Sequence, residues 1–360
     1  MRFHRTLLPL LLWLLLPLNA YADPAFYRIS KGNEQHWLLG SIHAGKPSLY
    51  PLPDPVERAW QQSRALVMEV DMTHISQAQW QEMGAITRLV DGKTLKDHLP
   101  MDLYRRTLIA AGQNGLTEAM LAPLRPWFAA ITLTQAALER TGYRGEFGVD
   151  QHFAKRANDG GKPIIGLETL LEQLGYLASV GDNQTLMLES TLDELPQLET
   201  GFRDVMKAWQ EGDQAALVNL LKAEMAPPKL QAWLEQTLLA ERNRNWLKKW
   251  PTLPNESFIV VGALHLYGEH GLLALLEQQG TPGMQAEGRR LKAGLLQEEA
   301  DQLDRAGKVA AALRLREQAL ALTPEEVWLA YRVADTRARL GEAGSGERLL
   351  RERLAARPQD

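Results

Sequence analysis

Two tetrapeptides far apart in the chain share one pattern: Gly40-Ser41-Ile42-His43 and Gly262-Ala263-Leu264-His265 both read Gly-x-x-His, and each follows a short apolar run. Imidazole suits proton transfer near neutral pH and is the commonest metal ligand. Two imidazoles in the same local context therefore point to one site assembled from distant segments. Carboxylates stand in comparable places, with Glu69 and Asp71 closing the run Ala65 to Val70, and Glu168 closing Pro163 to Leu167. A charged glutamate amid apolar residues is costly unless it is paired or bound to a cation. His43, His265 and Glu69 thus form a ligand set for a first-row divalent ion, with Zn²⁺, Mn²⁺ and Co²⁺ all compatible. The alternative for Glu69 is a structural pairing with an arginine. Asp150, in Gly148-Val149-Asp150 before a helix, is either a member of the site or a helix cap.

Strand ends are what must position these side chains. Phe26 to Ile29, His36 to Ile42, Ala65 to Val70, Pro163 to Leu167 and Ser257 to Ala263 are strand-length and rich in Val, Ile and Leu, with polar, helix-like segments between them. That alternation predicts an α/β domain with a mixed, largely parallel sheet, and in open α/β sheets ligands bind at the carboxyl ends of the strands. Each Gly three residues before a His removes a side chain there and permits close approach. From about Glu118 to Lys249 the pattern is mostly helical, with Met120 to Arg140 and Leu230 to Trp250 carrying apolar residues at helical spacing, which predicts a helical insertion in the sheet. The stretch Leu266 to Gly271 reads as a Gly-rich entry to a helix over Leu272 to Gln279, whose first N–H groups suit an oxyanion; His270 fits a cap better than a ligand.

The ends and the composition narrow the function classes. Arg2, His4 and Arg5 precede an apolar run from Leu7 to Leu18 and then Ala20-Tyr21-Ala22, the pattern of a secretory signal peptide over residues 1–22 with the mature chain starting at Asp23. The run falls short of the roughly 20 residues of a spanning helix, and no later stretch is long and apolar enough, so no membrane span is expected once the leader is removed. With no cysteine, thiolate ligands, a Cys nucleophile and disulfides are excluded, and an exported protein without them fits a bacterial periplasm. A formal net charge of −4 gives no electrostatic footprint for nucleic acid. At 360 residues and 45% hydrophobic content, one large domain plus a smaller one is expected.

The tail supplies that smaller unit. Shifted by 34 residues on itself, it superposes Ala300 on Ala334, Asp301 on Asp335, Gly307 on Gly341, Leu315 on Leu349, Leu320 on Leu354 and Pro324 on Pro358. A period of helix, Gly turn, helix, Pro at that length is the tetratricopeptide signature. Residues 292–360 therefore read as a small all-α repeat-like region, with a plain helical hairpin as the alternative. About two units fit, fewer than a free-standing array needs, so this region is expected to pack on the main domain or on a protein partner.

Taken in order, Leu39 to His43, Met68 to Asp71, Gly148 to Asp150, Gly166 to Thr169, Arg242-Asn243 and Val261 to Leu266 resemble the TraB/GumN family, whose animal relatives are the membrane-anchored, metal-dependent Tiki peptidases. The resemblance covers about Phe26 to Leu291, so residues 23–291 are expected to form one TraB/GumN-like α/β domain. It implies a fold related to erythromycin esterases and haem-binding ChaN-like proteins. Carried onto this chain, it also implies a site of His43, His265 and Glu69 or Glu168, with Arg242 as an anion-binding partner. The expected function is an exported metal-dependent hydrolase acting on a peptide or protein substrate. In it, a divalent ion on His43, His265 and Glu69 would activate water, Glu168 or Glu69 would serve as base, and Arg242 would steady the oxyanion. Alternatives are a metal-free hydrolase with a histidine base, a non-catalytic metal or haem carrier, and an envelope scaffold that binds a protein through its tail.

Overall fold

The structure, a computed structural model, describes residues 24–31, 34–73, 75–221, 227–278, 284–323 and 326–356. The expected leader over residues 1–22, and Pro324 and Pro358 of the repeat pattern, lie outside the described residues. Among the described residues five strands form one sheet: β1 (Phe26–Lys31), β2 (Glu34–Ser41), β3 (Ala65–Val70), β4 (Ile164–Glu168) and β5 (Ser257–Gly262). The order is β1-β2-β5-β3-β4; β1 runs antiparallel to β2, and the other neighbours are parallel. The mixed, largely parallel sheet is therefore as the alternation of elements predicts. Insertion of β5 between β2 and β3 brings the carboxyl ends of four parallel strands to one edge.

Both faces of the sheet are buried, which explains why its central strands are continuous apolar runs instead of alternating ones. On β5, Phe258 and Val260 pack with Trp37, Leu39, Trp60, Phe153 and Trp209 on one face, while Ile259 and Val261 pack with Leu38, Val67, Trp246, Leu273 and Leu276 on the other. Each such side chain contributes about 1.5–3 kcal/mol by leaving water. Helices Asp54–Gln62, Val149–Gly160 and Leu198–Gln210 cover the first face, and Arg242–Lys249 and Leu272–Gln278 cover the second.

The helical insertion comes in two parts, separated by β4. Part of it shares a separate core with helix Met101–Gln113, where Leu103, Leu121, Leu133 and Leu188 are buried together away from the sheet. The helix expected over Met120 to Arg140 is divided into Glu118–Leu121 and Pro126–Arg140, because prolines at 123 and 126 remove N–H donors and disfavour helix for the residues before them. The helix expected over Leu230 to Trp250 is a continuous run with a change of pitch: α over Pro228–Trp233, π over Leu234–Glu241, and α again over Arg242–Lys249.

Beyond the sheet, Met284–Arg305, Val309–Leu322, Val327–Arg339 and Ala343–Ala356 are helices. The first packs along β1 and spans the expected boundary after Leu291. Gly307 and Gly341 occupy the turns with φ of 75° and 87°, a left-handed backbone that glycine adopts without penalty. Ala300, Ala312 and Ala319 are fully buried at helix crossings.

Candidate active site

His43 lies two residues beyond β2, and His265 lies in the single 3₁₀ turn Ala263–Leu266 that follows β5. Register pairing sets Ser41 of β2 against Gly262 of β5, so the two Gly-x-x-His segments leave the sheet side by side. Their glycines have different reasons to be there. A Cβ on Gly40 would come within 2.8 Å of Leu266 and 3.0 Å of Ala25 and Ala263, so this glycine lets the turn after β5 close on β2. A Cβ on Gly262 would sit 3.2 Å from Glu69 Oε1, 3.5 Å from His43 Nε2 and 3.6 Å from His265 Cδ2. That glycine leaves open the space between three of the expected site residues.

Arg242 is the hub of the buried half. Its Nε donates to both Glu168 oxygens at 3.1 and 3.2 Å. Nη2 donates to Glu69 Oε2 and Glu168 Oε1, both at 2.6 Å, and Nη1 donates to Leu238 O at 3.3 Å and His265 Nε2 at 3.1 Å. All five guanidinium donors are therefore spent inside the protein, and none is left for a substrate oxyanion, the part the sequence suggested for Arg242. Glu168 is likewise enclosed, since Trp246 Nε1 donates to its Oε2 at 2.9 Å and it lines neither of the clefts described below. Expected as a general base, it is instead the buried counter-charge that aims Arg242.

Asn243 fixes His265. Its Oδ1 lies 2.7 Å from His265 Nδ1, and its amide donates to the carbonyls of His265 and His270 at 3.0 and 2.8 Å. Nδ1 therefore carries the proton, and Nε2 accepts from Arg242. Burial, the largest influence, acts with the charges of Arg242 and His43 to lower the His265 pKa to about 3 against the pull of Glu69. Burial by itself would raise Glu69; the surrounding charges of His265, Arg242 and His43 and the Gly262 N–H, which donates to Oε1 at 2.7 Å, hold it at about 2 instead. Gln173 completes that carboxylate's shell by donating to Oε2 at 3.1 Å.

His43 differs from His265 in every respect that matters to chemistry. Its side chain is 67% exposed, and its Nδ1 is 3.4 Å from Asp150 Oδ2. Asp150 stands in the first turn of helix Val149–Gly160, which is held against the strand end by Val149 N donating to Ile42 O. Gly148 makes the approach possible, because a Cβ there would fall 2.6 Å from the His43 carbonyl. The protein packed around its inner edge takes water from the ring and works to lower the His43 pKa, but the hydrogen bond and charge of Asp150, with the charge of Glu69, outweigh it and raise the value to about 9. Water around so exposed a ring screens part of that pull. Two clefts meet at this residue. One, of about 930 Å³, runs between Asn114, Gln135, Arg140 and Arg144; the other, of about 590 Å³, runs over Ser41, Glu69, Asp71, Lys155 and Gln173, and His43, Asp150 and Gln151 line both.

The structure thus brings all six expected site residues to one sheet edge, but it divides them between an exposed pair, His43–Asp150, and a buried network. The donor set does not fit the expected metal ion. His265 Nε2 is occupied by Arg242, Glu69 is bound on both oxygens, and a dication there would adjoin a permanently charged guanidinium. Among the described residues no three His, Asp or Glu side chains are arranged to hold a metal ion. Sequence reasoning assigned no role to Ser41 or Gln173, and it took Trp246 for helix-packing core. Asn243 was visible only as the neighbour of Arg242, and a lone glutamine on a helix carries no signal.

Comparison with known proteins places most of the chain in one family match. A family model described as TraB/PrgY/gumN matches residues 25–282. The chain is similar to the Uncharacterized protein YbaP of Escherichia coli (strain K12), at 26% identity over 270 residues covering 74% of this chain and 96% of that protein. It is also similar to the Metalloprotease TIKI2 of Danio rerio, at 24% identity over 296 residues covering 68% of this chain and 57% of that protein. No solved structure matches the chain.

Proposed function

This chain belongs to the TraB/PrgY/gumN family, and from that membership and the geometry of the sheet edge we propose that it is a hydrolase of peptide bonds with His43 as its base. The observation that carries the reading is the contrast between the two histidines. His265 is locked, neutral and enclosed, whereas His43 is exposed where two clefts meet and is backed by Asp150. The name of the metalloprotease relative supports a peptide or protein substrate and a hydrolytic reaction.

In this reading a water occupies the space over Gly262, between His43 Nε2 and Glu69 Oε1. His43 Nε2 takes its proton as the oxygen attacks the substrate carbonyl, and the resulting imidazolium returns that proton to the departing amine. Asp150 holds the ring by Nδ1 and stabilises the imidazolium, as the third member of a catalytic triad does. Glu69 orients the water, and Arg242 keeps Glu69 charged and in place. No step is routed through a metal ion, because the residues expected to hold one are committed to each other.

The test is hydrolysis of a blocked-peptide library by purified protein, with and without chelator, alongside elemental analysis. We expect turnover by the wild type and a loss of about 10²–10⁴-fold in H43A. An H43A variant as active as wild type would refute the base. Activity that disappears with chelator and returns stoichiometrically with Mn²⁺, Co²⁺ or Zn²⁺ would restore the metal-dependent form.

The reaction is placed in an exported, periplasmic protein on the strength of the leader-like residues 1–22; amino-terminal sequencing of protein from the cell envelope should begin at Asp23. Among the described residues no helix is long and apolar enough to cross a membrane. The tail is assigned to a protein partner, supported by Trp328 and Tyr331, exposed one turn apart on helix Val327–Arg339. Crosslinked species in cells should diminish in the W328A/Y331A variant, and their persistence would count against that assignment.

A further inference from the structure

Ser41 ends β2 two residues before His43, and its hydroxyl is a loose end in an otherwise well-bonded site. The residue is 3% exposed and its Oγ has no hydrogen-bond partner, although buried hydroxyls are partnered as a rule. It lines the cleft that runs over Glu69 and Gln173 and shares that cleft with His43. Its position is rigid. Trp209 Nε1 donates to Gly40 O at 2.7 Å on one side, and Val149 N donates to Ile42 O at 2.9 Å on the other. A second polar atom on the same wall, Asp150 Oδ1, is also buried without a partner.

We propose that Ser41 is a substrate-binding residue whose hydroxyl donates to a carbonyl oxygen of the peptide lying in the Glu69 cleft. The proposal rests on the hydrolase reading and deepens it, because it assigns recognition of the peptide backbone to a side chain outside the His43–Asp150 pair. A fixed donor left unpaired in the free protein is satisfied only when a ligand supplies an acceptor, so ligands lacking that acceptor are penalised. A nucleophilic role is the rival for a serine beside a histidine and an aspartate, and the two roles are told apart by whether a covalent adduct forms on Ser41.

The test uses full-length protein and the best-cleaved peptide from an N-acetylated, C-amidated decapeptide library. In the inactive H43A background, S41A should weaken the Kd for that peptide about tenfold, the size of one neutral hydrogen bond, while S41T, which keeps the hydroxyl, should bind within about threefold of the parent. With His43 intact, S41A should raise KM by a similar factor and leave kcat nearly unchanged. The melting temperature of S41A should not fall, because the lost hydroxyl has no partner in the free protein; a purely structural serine would behave oppositely. Equal affinities for the parent and S41A, or S41T no better than S41A, would overturn the proposal. A fluorophosphonate adduct on Ser41 would overturn it in favour of the nucleophile. If no peptide is cleaved or bound, the proposal falls together with the hydrolase reading, whereas normal cleavage with an indifferent Ser41 removes the proposal alone.

Discussion

Charge placement decides the work of each ionisable side chain. His43 must be neutral to accept a proton, so with its pKa raised to about 9 we expect kcat/KM to climb as pH rises toward 9. In D150N the negative charge that raises the pKa is gone and any remaining hydrogen bond is to a neutral amide, so the ascending limb should move toward or below the ordinary histidine value of 6.5; pH profiles that superpose would dissociate His43 from the limb. Stability has its own pH window. The unfolded chain protonates His265 near 6.5 and Glu69 near 4.5, whereas the folded protein resists until about 3 and about 2. Protons therefore favour unfolding as pH falls from 6.5 toward 2, and urea unfolding of H265N should show a flatter dependence between pH 6.5 and 4.5. Arg242 holds two buried carboxylates at once. R242M would leave Glu69 and Glu168 buried without their cation, at a cost of about 3–5 kcal/mol, which thermal or urea denaturation would register.

At the scale of elements, the helical run that carries Arg242 and Asn243 shows how pitch aims side chains. Eight residues of π-helix, Leu234–Glu241, immediately precede Arg242, and Arg242 Nη1 bonds back to Leu238 O within them. A π segment inserts residues relative to α pitch and turns everything after it around the helix axis. Insertion of one alanine after exposed Gln236 should turn Arg242 and Asn243 by about 100°, away from Glu168 and His265. We expect loss of hydrolysis and a lowered melting temperature; an insertion variant with wild-type activity would show that the aim of Arg242 is incidental. The apolar spacing over Leu230 to Trp250 shows that this run is helical, but one periodic template cannot distinguish a local change of pitch, because the buried positions on either side remain apolar. Strands were the easier reading. β3 was legible to the residue and the other four to within a few residues, since strands buried on both faces are runs of mostly Val, Ile, Leu and Met whose few polar residues lie near their ends.

For the whole molecule, the question is how far the tail matters to the sheet edge. The family match ends at residue 282, before helix Met284–Arg305 begins, and among the described residues none that lines the two clefts comes from the tail. The tail is nevertheless tied together through charge. Buried Arg316 donates to Asp301 at 2.6 Å and Thr336 at 2.6 Å and pairs with Asp304 at 3.0 Å, while Arg339 holds Asp304 from the third helix. Its first helix lies along β1. A chain ending at residue 283 should keep kcat/KM within about twofold, because no cleft residue is lost, while melting at a lower temperature as β1 loses its cover. A truncated protein that is fully folded but inactive would place part of the site in the tail. R316M should destabilise the tail without altering hydrolysis.

The amino-acid sequence by itself determined the α/β class, the strands and the candidate residues His43, Glu69, Asp150, Glu168, Arg242 and His265. It could do so because apolar runs, imidazoles and carboxylates are local features that survive in a one-dimensional reading. What they do to one another is not local. Placing β5 between β2 and β3 made His265, Glu69 and Arg242 neighbours, and the π segment turned Arg242 inward. Only the tertiary structure could show that a guanidinium stands where the ligand set suggested a metal ion, because a buried carboxylate needs a cation and the sequence does not say which one is within reach.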